Sequence, residues 1–217
     1  MDRRAFMKKG LLAVLGTGLA GRSALFSKNL AYAETQKGAN AMKILVLTGS
    51  PRKNGNSNIL AENFIKGAAE QGHEIVRFDA AEKNVHPCIA CNSCGMDGPC
   101  VFDDDFDFVR EHIINADLVA FATPMYYFGI SVQLKAVIDR FYAINGQIHV
   151  HKKAVLLMTY ANNSRDHERP IVTHYEQLLS YLGWEDAGRV IAPGAWVAGS
   201  VSGTKYPSMA YELGKSI

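Results

Sequence analysis

Four cysteines, Cys88, Cys91, Cys94 and Cys100, fall within thirteen residues, and Pro87, Gly95, Gly98 and Pro99 bend the chain around them. Thiolates brought together by so short a loop suit a cubane cluster or a single tetrahedral metal ion; disulfides or free thiols are the alternative. Two further stretches flank them. Residues 48–58 read TGSPRKNGNSN and run straight into a helical pattern. Open backbone amides and the positive end of a helix dipole favour a phosphate there. Ser50, Asn56, Ser57 and Asn58 can add hydrogen bonds, and Arg52 can add charge. In the second stretch Pro124, Met125, Tyr126, Tyr127, Phe128 and Gly129 follow an apolar run, so three consecutive aromatics sit where a strand ends. Such rings can stack on or edge a flat heterocycle while local amides bond its polar end. Taken singly, the first stretch also reads as a polar turn with a helix cap, and the second as aromatic packing in a core or dimer contact. Together they suit a phosphorylated planar cofactor. The first matches neither Gly-x-Gly-x-x-Gly nor a Walker loop, which favours a mononucleotide.

These stretches need strands and helices to bring them together. From Met42 onward, short apolar runs at 43–47, 75–78, 118–122, 154–158 and 189–192 alternate with helical patterns. Over 57–71, Leu60, Ala61, Phe64, Ile65 and Ala68 share one face, with Ser57 as the expected cap and Gly72 at the end. Leu134, Val137, Ile138 and Phe141 mark a second helix capped by Ser131. A third has Pro170 near its first turn, Ile171, Tyr175, Leu178 and Leu182 inward, and Gly183 past its end. Continuously apolar strands joined by helices form a parallel sheet covered on both faces. The expectation is one α/β domain, a doubly wound five-stranded sheet in the order 2-1-3-4-5. Its chain direction reverses between the first and third strands, whose carboxyl ends carry the two loops.

The chain opens with Arg3 and Arg4, then Lys8 and Lys9, an uncharged run over 10–21, and Ala31-Tyr32-Ala33, a small-x-small cleavage pattern. This resembles a twin-arginine export signal over 1–33, followed by a polar linker over 34–41 and the main domain over 42–217, with a four-cysteine insertion at 86–105. The apolar centre is short of the roughly 20 residues that span a bilayer. An uncleaved anchor is the alternative, against which Arg22 and Lys28 interrupt any longer run. The expected location is periplasmic or otherwise extracytoplasmic, with membrane contact only through the signal. Six of the 23 Lys and Arg but one of the 21 Asp and Glu lie in that leader, so the remainder of the chain is net acidic. Nothing in it points to nucleic acid.

GSPRKNGNSN and TPMYYFGISVQLKAVIDRF resemble the NAD(P)H-dependent FMN reductases of the flavodoxin-like superfamily, and the cysteines between them resemble the iron-sulfur flavoprotein branch. The likeness runs from about Met42 to the carboxyl end, where MAYELGK is similar to the family's closing helix. The resemblance implies that Ser50, Arg52, Asn56, Ser57 and Asn58 hold the FMN phosphate. It also implies that Pro124 to Gly129 line the isoalloxazine, with residues 159–163 bordering it. For the cysteines it implies a 4Fe-4S cluster. NAD(P)H would be the electron donor, a small molecule such as a quinone or a redox protein the acceptor, and a homodimer or tetramer the assembly. The leader departs from the usual cytoplasmic member. NAD(P)H is scarce outside the cytoplasm, so an exported electron carrier without nicotinamide turnover is the rival expectation, and a cofactor-free binding module a third.

Other residues carry less. His149 and His151 beside Lys152 and Lys153 read as a solvated strand start, the run Asp103 to Asp105 as a cap for the helix after it, and Trp184 as core. No Ser-His-Asp order or catalytic carboxylate pair is evident, which leaves the chemistry to the flavin.

Overall fold

Alternate residues of the first strand point to opposite faces, and both faces are apolar: Ile44 and Val46 pack into one core, Leu45 and Leu47 into the other. In the computed structural model, which describes residues 41–217, the order is β1 (Lys43–Thr48), α1 (Asn56–Glu70), β2 (Glu74–Asp79), α2 (Phe106–Asn115), β3 (Leu118–Tyr126), β4 (Gly129–Ile130), α3 (Val132–Asp139), α4 (Asn145–Ile148), β5 (Lys153–Thr159), α5 (Arg169–Leu182), β6 (Glu185–Ala192) and α6 (Tyr206–Ser216). The expected export signal, and the linker up to residue 40, lie outside the described residues.

The sheet runs β2-β1-β3-β5-β6, with every neighbour along that path parallel. One core lies under α1 and α6, where Leu60, Phe64, Ala68 and Ala210 meet Leu118, Val155 and Val190. The other lies under α2, α3 and α5, where Val109, Ile113, Val137 and Ile171 meet Phe121, Leu156 and Trp184. The α1–α6 crossing is close because both helices present glycine. A Cβ on Gly67 would stand 2.1 Å from the Tyr211 carbonyl oxygen, and one on Gly214 would stand 2.2 Å from that of Phe64. Ser131 caps α3 by accepting from the Leu134 N–H, Pro170 sits in the first turn of α5, and Gly183 closes α5 in the left-handed region at φ 72°.

Two expectations need correction. The sheet has six strands, because β3 runs on through Tyr126 and β4 folds back antiparallel to it. Tyr126 pairs with Gly129, so Tyr127 and Phe128 form a two-residue hairpin turn, at φ 45° and 63°. Both central residues left-handed is the primed turn that matches strand twist, and it ordinarily takes Asn-Gly or Gly-Gly. Ser57 does not cap α1. Gly55 occupies the cap position with no side-chain hydrogen bond, and Ser57 is buried two residues further on, within the first turn. Among the described residues no helix is long and apolar enough to cross a membrane.

Candidate cofactor cleft and cysteine recess

A cleft of ≈ 600 Å³ opens where β1, β3 and β5 end. Its polar end is the turn between β1 and α1, where Ser50, Arg52 and Asn56 reach the surface of the cleft. A Cβ on Gly55 would stand 2.2 Å from Ser50 Oγ, so the turn is as tight as its backbone allows. Ser50 Oγ accepts from the Arg52 N–H at 3.2 Å, and Asn58 Nδ2 donates to the Arg52 carbonyl at 3.0 Å. Asn58 is therefore a brace behind the loop. Asn56 is a staple: Nδ2 donates to the carbonyls of Ala195 (3.0 Å) and Val197 (2.8 Å), while Oδ1 accepts from the Val201 N–H at 3.1 Å. Its side chain is spent on fixing the loop after β6, which carries Trp196 to the cleft rim.

A phosphate fits this end. The first turn of α1 leaves backbone N–H groups without intrahelical partners, and the glycine cap provides no side chain to serve them. In the same turn Ser57 Oγ is buried with no hydrogen-bond partner. A buried hydroxyl left alone is costly, so an acceptor belongs there. The dipole of a 15-residue helix adds to the pull on an anion.

The opposite wall is the β3–β4 hairpin, which brings Pro124, Met125, Tyr126, Tyr127 and Phe128 to the cleft. Gly129 lies behind it in β4, where it pairs with Tyr126. Tyr127 is fully exposed, Phe128 half-exposed. The hairpin is tied to the sheet by Thr123, whose Oγ1 accepts from the Ser131 N–H at 3.0 Å. The base comes from Thr159 to Asn162, and Tyr160 is 2% exposed there. Burial first, then its contact with Glu168 Oε2 at 3.1 Å, raises the Tyr160 phenol to about 12, so it remains a neutral donor. His167 and Trp196 complete the rim, His167 edge-on to Phe128 at 5.3 Å. Neither residue carries a sequence signal, since both arrive from loops that only the tertiary fold brings near.

All four cysteines line a second, smaller recess, with Phe102, Arg140 and Tyr142. All four are free thiols here; Cys88 and Cys91 are exposed, Cys94 and Cys100 half-buried. The loop coils through left-handed residues at Ala90, Asn92, Gly95 and Met96. It is pinned from outside: Arg110 donates to the carbonyls of Gly98 and Ala143, Tyr142 Oη to Asn92 Oδ1 at 2.8 Å, and the Gly146 N–H to Asp97 Oδ1 at 2.8 Å. Hydrogen bonding to Ser93 lowers the Cys91 thiol, placing it nearer the thiolate form that ligates metals. Among the described residues, no three His, Cys, Asp or Glu side chains are grouped so as to hold a metal ion as they stand. Four cysteines lining one recess are the donor type that a thiolate-ligated cluster would take. The cap position of α2 is Asp105, which makes no side-chain cap hydrogen bond; Asp104 just before it accepts from the Phe106 N–H at 3.1 Å, and its other oxygen binds Arg140. His149 and His151 are exposed ahead of β5 and Trp184 is core.

A parallel sheet with helices on both faces, and a cleft at the carboxyl ends of β1 and β3, define a flavodoxin-like protein. The profile of the family described as NADPH-dependent FMN reductase matches residues 42–198, and the chain belongs to that family. It is 37% identical over 99 residues to an iron-sulfur flavoprotein of Methanocaldococcus jannaschii, covering 46% of this chain and 51% of that protein. An iron-sulfur flavoprotein of Methanosarcina thermophila is also 37% identical over 99 residues, covering 46% of this chain and 52% of that protein. The chain thus spans about half the length of these curated relatives. Among solved structures, the NAD(P)H:quinone oxidoreductase from Methanothermobacter marburgensis superposes with a TM-score of 0.68 at 20% identity, covering 82% of this chain and 96% of that one. That likeness is one of fold.

Proposed function

We propose that the protein is an FMN-dependent NAD(P)H oxidoreductase that delivers electrons, by way of a 4Fe-4S cluster in the cysteine recess, to a quinone or a redox protein. The observation that carries the reading is the continuity of one cleft from the open start of α1, at Ser50, Arg52, Gly55 and Asn56, to the aromatic hairpin. When bound, FMN supplies hydride acceptance and one- or two-electron exchange, which no side chain of the protein can provide. The α1 turn would hold the phosphate through its backbone N–H groups, Ser50 and Ser57, with Arg52 closing over it. Asn56 and Asn58 would act by fixing the loops. Pro124 to Phe128 would orient the ring, and the neutral Tyr160 phenol keeps the base of the cleft free of a competing anion. The order of the five long strands supports the flavodoxin-like 2-1-3-4-5 arrangement, in which such a site falls at the switch point. Exposed Tyr127, Phe128, Trp196 and Val197 around the cleft support a homo-oligomer that covers them.

The twin-arginine leader favours a second reading, an exported carrier that exchanges electrons only with another redox protein. Steady-state NAD(P)H oxidation by purified, FMN-loaded protein separates the two. Turnover with a soluble quinone supports the reductase. Reduction by a protein donor alone, with no nicotinamide oxidation, supports the carrier.

A further inference from the structure

The wall of the cysteine recess contains a buried cation. Arg140 is 1% exposed and lines the recess with all four cysteines. One edge of its guanidinium is engaged: Nη1 donates to the His86 carbonyl at 3.0 Å and to Asp104 Oδ2 at 2.9 Å. Asp104 is 1% exposed too, and the same Oδ2 also accepts from the His86 N–H at 2.9 Å. The faces of Phe106 and Phe102 lie 4.7 Å and 5.4 Å from the guanidinium carbon. Nε and Nη2 have no partner. Aromatic faces favour the charge but supply no lone pair to an in-plane N–H. A salt bridge that served only to pin the loop would leave no reason for an arginine, whose two-edged fork is wasted when one edge is idle.

We propose that Arg140 is the counter-charge of the cysteine recess, its free N–H edge donating to sulfur of the anionic, thiolate-ligated cluster and setting the cluster's reduction potential. The inference rests on the cluster assignment above. A thiolate-ligated cubane is net anionic and gains a further negative charge on reduction. A buried cation and its N–H donors therefore favour the reduced form, and their loss lowers the potential. Arg140 acts as a positioning and tuning residue, since the ligands are the thiols.

The test is a redox titration of the cluster, followed by electron paramagnetic resonance, in anaerobically purified full-length protein carrying FMN. Arg140→Gln is expected to shift the one-electron equilibrium about tenfold toward the oxidised cluster, roughly 59 mV. Arg140→Lys, which keeps charge but not the fork, is expected to fall between the two, with the FMN potential unchanged in both. A cluster potential in Arg140→Gln equal to that of the unmodified protein, at unchanged iron and FMN content, would overturn the proposal. So would failure of both variants to fold and take up FMN, which would make Arg140 a scaffold residue. Absence of iron and sulfide from the unmodified protein removes the cluster assignment itself, together with this inference, and is seen before either variant is made.

Discussion

Ser57 carries a polar atom that the protein alone leaves unsatisfied at the start of α1. Its hydroxyl is buried in the first turn of α1 without a partner. Hydrogen bonds to charged groups contribute about 1.5–3 kcal/mol. Ser57→Ala is therefore expected to weaken FMN binding by roughly 10- to 100-fold in a fluorescence titration. The cofactor-free protein should melt at an unchanged or slightly higher temperature, because an unsatisfied group has been removed. A variant that binds FMN normally would sever Ser57 from the phosphate. Tyr160 gives a pH signature. Its folded phenol titrates near 12 against an ordinary 10.0, so the stability it contributes is fully present below pH 10 and lost as pH rises through about 12. Alkaline unfolding of Tyr160→Phe should lack that component, as read by circular dichroism from pH 9 upward.

At the scale of elements, the hairpin and the helix pair make opposing demands. Tyr127 and Phe128 hold left-handed backbone that bulky residues rarely adopt, at a cost of about 1–3 kcal/mol each. Such a cost persists where the side chains are needed. Phe128→Gly is expected to raise the melting temperature of the cofactor-free protein while weakening FMN binding; a loss on both measures would show that the ring packs for stability instead. Gly67 faces the Tyr211 carbonyl at a distance that admits no methyl. Gly67→Ala is expected to cost about 1–3 kcal/mol in chemical denaturation by forcing α6 off α1. Because α1 carries the anion end of the cleft, FMN affinity should fall with it. An Ala variant of wild-type stability would mean that the two helices yield.

For the whole molecule, what was legible in the chain was local. The alternation of apolar runs and helices, the Ser131 cap, Pro170, Gly183 and the buried Trp184 each follow from neighbours in sequence, and each stands in the structure. The two loops were legible for the same reason, since a polar turn before a helix and aromatics after a strand are contiguous signals. What was not legible depends on partners far along the chain. Asn56 reads as a phosphate donor until its amide is seen to hold residues 195–201, about 140 positions away. His167 and Trp196 come to the cleft, and Arg140 to the cysteines, through packing alone. The hairpin escaped because its left-handed residues are aromatic, so no Gly or Asn marked the turn. The placement of the two loops over one cleft is what the proposed seating of a phosphate at the start of α1 and a flat ring against the hairpin rests on.

The most direct test is the visible spectrum and bound-nucleotide content of anaerobically purified full-length protein after FMN has been supplied and the excess removed by gel filtration. Flavin absorbance at about one FMN per chain is expected. Protein that elutes colourless, and that takes up no FMN in a direct titration, would contradict the assignment of the cleft.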